Sequence, residues 1–136
     1  MAAKARTVRT VKWADAPEQH DYPAAASFLQ LMATPAQVET LTALLSDAPT
    51  VHQRAKDILR AARLALLPAD DPEVARDLKK VADGKALSPI LLVRGDLSRD
   101  RALLIADGYH RVCASYHLGE GTEIPCRLVE LPAQVA

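Results

Sequence analysis

Aromatic side chains are scarce in this chain: one Trp, three Tyr and one Phe make up 4% of its residues. So few rings argue against a row of stacking platforms for single-stranded nucleic acid. Surplus charge is missing too, because seventeen basic residues meet seventeen acidic ones. Without a global field to hold a polyanion, any contact with DNA or RNA has to come from a local patch. Cysteine is limited to Cys113 and Cys126, with neither CxxC spacing nor a dense framework, which points to reduced thiols in a cytoplasmic protein. No apolar run approaches the roughly eighteen residues of a membrane span, and no signal-peptide core follows the basic start MAAKARTVRTVKW. Internal repeats, low-complexity tracts and flexible linkers are absent as well. What remains is ordinary for a soluble globular protein, 49% hydrophobic and 25% charged over 136 residues, enough for a single domain with a real core.

The periodicities predict helices in the first half, to about residue 70, and an αβ core over about 72–131. TVRTVKW at 7–13 alternates and suits a short strand or an ordered arm. A helix starts at Asp21. Thr34 then has the form of an N-cap with Pro35 behind it, and Val38, Leu41, Leu44 and Leu45 make an amphipathic face that Ala48-Pro49-Thr50 should break. A further helix is expected over about 51–66, with Val51, Ala55, Ile58, Leu59 and Ala62 on one side and His52, Lys56, Arg60 and Arg63 as a basic stripe on the other. Asp70-Asp71 before Pro72 starts a helix that runs through Leu78 and Val81 and ends near Gly84. Leu87 to Val93 and Ala102 to Ala106 are continuous apolar runs, as in strands buried on both faces, with a polar connection over 95–100.

The stretch LLIADGYHRVCASYHL, residues 103–118, carries the most chemistry. An apolar strand passes through Asp107-Gly108 into a helix opening on Tyr109-His110-Arg111. A helix start leaves backbone N–H groups without partners and bears partial positive charge, so it attracts an anion, and phosphate is the leading candidate. Gly108 permits a sharp turn and a close approach. Arg111 has a fork of donors for phosphate oxygens, and His110 has a single donor that carries charge when protonated. Asp107 is open to several roles: an N-cap, a ligand of Mg²⁺, or an acceptor of a substrate proton.

Asp-Gly-x-His-Arg, followed by a small residue and an aromatic, resembles the phosphate-binding signature of the ParB/sulfiredoxin superfamily, particularly its kinase-type members such as the free serine kinases. LSPILLVRG upstream and TEIPCRLVEL downstream supply that superfamily's order of strand, strand, helix, strand. The chain has Tyr109-His110 where chromosome-partitioning proteins have Glu-Arg, and Tyr109 where sulfiredoxins place a nucleophilic cysteine. The resemblance implies an α+β fold, a small mixed sheet with packed helices beside a helical N-terminal half. It further implies phosphate binding by Gly108, Tyr109, His110 and Arg111, catalytic roles for Asp107 and His110, and a nucleotide as partner with Mg²⁺ as its cofactor. The reaction expected is hydrolysis or transfer of a nucleotide phosphate. Asp70, Asp71 and Glu73 join Asp107 as candidate bases.

Two other functions compete with that one. The first is a nucleic-acid-binding module or nuclease using His52, Lys56, Arg60 and Arg63, for which the competing explanation is a solvated helix face. The second is a non-catalytic interaction protein, for instance a homodimer, with a partner surface on the apolar helices before Pro68. His110, Cys113 and His117 fall on one helical face at metal-ligand spacing, but the helix packs there and a free cysteine in such a place is usually a small buried hydrophobe.

Overall fold

A computed structural model describes residues 10–132. The architecture is α+β. Its order is α1 (Asp21–Leu29), α2 (Pro35–Asp47), β1 (Thr50–Arg54), α3 (Ala55–Ala62), α4 (Pro72–Ala82), β2 (Ile90–Val93), β3 (Leu104–Asp107), α5 (Tyr109–Leu118) and β4 (Glu123–Val129). The strands form one mixed sheet in the order β1-β4-β2-β3. β2 and β4 run parallel, whereas β1 pairs with β4 and β3 with β2 antiparallel.

Local chemistry sets two of the five helix starts. At α2 the Thr34 hydroxyl accepts from the Gln37 N–H, the Gln37 side chain accepts from the Thr34 N–H, and Pro35 occupies the first turn. At α4 the Asp71 carboxylate accepts from the N–H groups of Glu73 and Val74. That helix ends before Gly84, which has φ +74°.

The helix expected over 51–66 is a correction. Its first part, Thr50–Arg54, is an exposed edge strand lying on β4 with Val51 opposite Cys126 and His52 opposite Pro125. Without β1, the outer edge of β4 would leave backbone groups unpaired, and satisfying them outweighs a helical spacing that residues 51–55 share only weakly. The helix then begins at Ala55, where the N–H groups of Ala55 and Lys56 donate to the carbonyls of Thr122 and Glu120. Ala55, Ile58, Leu59 and Ala62 are buried as the spacing requires. Arg63 closes the helix in the left-handed conformation, φ 57°.

Alternation along the strands divides the core between the two faces of the sheet. Ile90, Leu92, Ile105, Ile124 and Cys126 face α3, α4 and α5. Leu91, Val93, Ala106 and Val129 face α1 and α2, meeting Ala25, Leu29, Leu41 and Leu45. The apolar stripes of α1 and α2 are therefore spent on the sheet, although Leu44 stays exposed. Within the predicted arm at 7–13, Trp13 makes a parallel bridge to Leu87, and residues 7–9 lie outside the described ones. No helix among the described residues is long and apolar enough to cross a membrane.

Candidate functional site

The sheet delivers the Asp107-Gly108 turn beside the start of β2, because Leu91 pairs with Asp107. Gly108 has φ +115°, and a Cβ there would fall 2.4 Å from Cγ2 of the fully buried Ile90, so both conformation and space call for glycine. Gly108 is also the N-cap of α5 and offers no side chain to it. The first intrahelical bond runs from the Val112 N–H to the Gly108 carbonyl, and the N–H groups of Tyr109, His110 and Arg111 meet no acceptor among the described residues. Asp107 does not cap the helix.

Asp107 instead accepts a 2.6 Å bond from Arg111 Nη2. Arg111 Nη1 donates to the carbonyls of Ser88 and Pro89 at 2.8 and 3.2 Å and to Ser88 Oγ, and it lies 3.8 Å from Asp21 Oδ2. With its side chain only 12% exposed, the guanidinium ties the strand start at 88–89 to the Asp107 turn. The fork expected to grip phosphate is committed to internal acceptors. Tyr109 turns its hydroxyl to the Ala65 carbonyl, 2.5 Å away, which leaves its backbone N–H as its contribution to a ligand.

A pocket of about 260 Å³ opens at this helix start. It brings Asp107, Gly108, His110 and Arg111 together with Glu18, His20 and Asp21 before and at the start of α1, and with Glu73, Asp77 and Lys80 of α4. Of the candidate bases, Glu73 lines the pocket but pairs with Arg76 at 2.9 Å. Asp71 is the cap of α4 and sits 4.0 Å from His110 Nε2, while Asp70 is not among the lining residues.

Five carboxylates, Glu18, Asp21, Glu73, Asp77 and Asp107, face two fixed cations, Lys80 and Arg111, an excess of three negative charges before either histidine is counted. Two of these carboxyls are raised, chiefly by burial. Burial raises the Asp107 carboxyl above the ordinary range, Arg111 opposes the rise and the adjacent Asp21 adds to it. Burial likewise raises Asp77, against the attraction of Lys80, Arg111 and His110. Asp77 is 9% exposed and has no hydrogen-bond or ion-pair partner among the described residues.

Sequence reasoning missed Glu18, His20, Asp21, Asp77 and Lys80. For Asp77 a signal existed, since it lies with Val74 and Val81 on the buried stripe of α4, where a carboxylate is out of place. The basic stripe is not continuous. His52 lies on β1, Lys56 at the start of α3, Arg60 is 3.8 Å from Asp57, and Arg63 pairs with Asp100 at 2.5 Å. None of the four lines the pocket. The trio His110, Cys113 and His117 does not converge either: Cys113 is buried, and His117 Nε2 lies 2.7 Å from the Leu67 carbonyl oxygen. No protein-family model, curated protein or solved structure matches this chain.

Proposed function

We propose that the chain binds a nucleotide through its phosphates at the start of α5 and hydrolyses or transfers one of them, as the resemblance of Asp107–Arg111 to the ParB/sulfiredoxin signature implies. The observation that carries this reading is the uncapped helix start. Three backbone N–H groups lack acceptors, and two of the residues that carry them, His110 and Arg111, line a polar pocket, the arrangement that holds phosphate oxygens elsewhere in proteins.

The charge of the pocket sets the form of the ligand. A bare polyphosphate would be repelled by the carboxylate excess, so the nucleotide enters as its Mg²⁺ complex, with Asp107 and Asp21 as the carboxylates on hand for the ion. Bound Mg²⁺ supplies charge neutralisation on the phosphoryl oxygens. Arg111 acts through Asp107 and Asp21, holding both carboxylates in place. His110, half-exposed, and Lys80 are the donors left to meet phosphate oxygens, and Asp107 either holds the ion or takes up the proton of the attacking hydroxyl or water. A volume of 260 Å³ falls below the about 300–1,000 Å³ of sites that swallow a whole drug-sized ligand, so the base of the nucleotide lies outside the pocket.

Calorimetric titration of ATP, ADP, CTP and GTP, with and without Mg²⁺, tests the reading. Binding of at least one of them in the presence of Mg²⁺, weakened about tenfold or more in His110→Ala or Lys80→Ala, is the expected result. Failure of all four to bind the wild-type protein overturns it.

A further inference from the structure

A second cavity, of about 860 Å³, shares no lining residue with the pocket at the α5 start. It lies at the opposite end of the strands: Ser88 and Asp107 belong to the first pocket, whereas Val93, Arg94 and Leu104 line the second. Core side chains form one wall. Leu29, Leu41 and Val93 are buried between α1, α2 and the sheet, and Leu104, Leu131 and the exposed Met32 continue the same aliphatic lining.

The remaining wall is charged, and its charges do not balance. Arg94 lies 3.3 Å from Glu130, Arg99 lies 3.8 Å from Asp96, and Asp100 is held by Arg63 at 2.5 Å. These pairs account for every charged residue that lines the cavity except Arg101. The Arg101 side chain is partly buried and has neither a hydrogen bond nor a carboxylate within ion-pair distance among the described residues. Ser98 does most to hold the Asp96 carboxyl below its ordinary range, and Arg101 adds the least of the attractions on it. Its backbone is fixed. The N–H and carbonyl of Arg101 both bond to Asp96, at 2.9 and 2.8 Å, and a Cβ on Gly95 would fall 2.4 Å from the Arg101 carbonyl oxygen. A spare arginine on an open surface is ordinary, but one on a pinned loop beside an aliphatic cavity is an anchor for an anion with an apolar body.

The other lining groups narrow the class. Gln37 commits its side-chain oxygen to the cap of α2, and no aromatic ring lines the cavity. Asp96 and Asp100 oppose a ligand with more than one negative charge. The volume lies within the about 300–1,000 Å³ of small-molecule sites. We propose that this cavity binds an aliphatic monocarboxylate of medium chain length, with its carboxylate on the Arg101 guanidinium and its chain along Leu29, Met32, Leu41, Leu104 and Leu131. A planar carboxylate matches the fork of an arginine, and each methylene taken out of water adds affinity. The site is independent of the phosphate chemistry at α5.

The experiment titrates isotope-labelled full-length protein with octanoate at neutral pH and follows the amide NMR shifts, with hexanoate, decanoate, acetate and 1-octanol for comparison. Saturable shifts are expected over residues 29–41 and 93–104 and not over 108–111. Affinity should rise about threefold to fourfold for each added methylene, and acetate should not saturate. Arg101→Gln should weaken octanoate about tenfold or more while leaving 1-octanol unchanged. Met32 is 57% exposed, so Met32→Glu sets a carboxylate on the aliphatic wall without disturbing the core, and should also weaken octanoate about tenfold. Thermal melts check the fold of both variants. An absence of saturable binding overturns the proposal, as does an octanoate affinity that Arg101→Gln leaves unchanged or that acetate or 1-octanol equals. Shifts of the same amides that grow with protein concentration alone would put a second copy of the chain in the cavity and overturn it too.

Discussion

Asp77→Asn should make the protein more stable at neutral pH. Asp77 is 9% exposed, its carboxylate forms no hydrogen bond or close ion pair among the described residues, and burial raises it above the ordinary range despite the attraction of Lys80, Arg111 and His110. Leaving a buried polar group unsatisfied costs about 1 to 3 kcal/mol, and more when the group is charged. Asparagine keeps the shape and some of the polar demand, so the variant should recover the lower end, about 1 kcal/mol, which moves the midpoint of a domain this size upward by about 3 to 6 °C. The pH dependence has a definite sign. A carboxyl raised in the folded state contributes stability that is present below its unfolded value and lost as pH rises through its folded one, so the advantage of the variant is largest near neutrality and shrinks on acidification. Thermal melts of both proteins in a chelator at a series of pH values between 4 and 7.5 provide the measurement. A midpoint lowered by the substitution at pH 7 would mean that the attraction of Lys80, Arg111 and His110 outweighs the cost of burying Asp77.

Gly108→Ala places a Cβ 2.4 Å from Ile90 Cγ2 on a backbone at φ +115°, and should cost about 3 kcal/mol or more in denaturant melts. Arg111→Met removes the donors to Ser88 and Pro89 and strands Asp107 beside Asp21. Chemical denaturation should show a loss of about 3 to 5 kcal/mol, partly restored by adding Asp107→Asn, and full stability with lost nucleotide binding would return Arg111 to the phosphate. Cys126 is buried and its thiol is pushed up to about 11, so a disulfide reagent at pH 8 should label neither it nor the buried Cys113 until guanidinium is added.

Elements whose signals are local were legible in the chain itself. Thr34-Pro35 with Gln37, Asp71-Pro72 and the Asp107-Gly108 turn hold their partners within four residues, and each produces the element expected of it. Residues 50–54 were not legible, because only pairing with β4, 69 to 77 residues away, decides between helix and strand there. Separation along the chain also hid the role of Arg111. Its residue type and position announce an anion site, but the Ser88 and Pro89 carbonyls that occupy it come from the segment just before β2. The carboxylates of the pocket lie in three separate segments, at 18–21, 73–77 and 107, so no spacing within one segment reveals their sum.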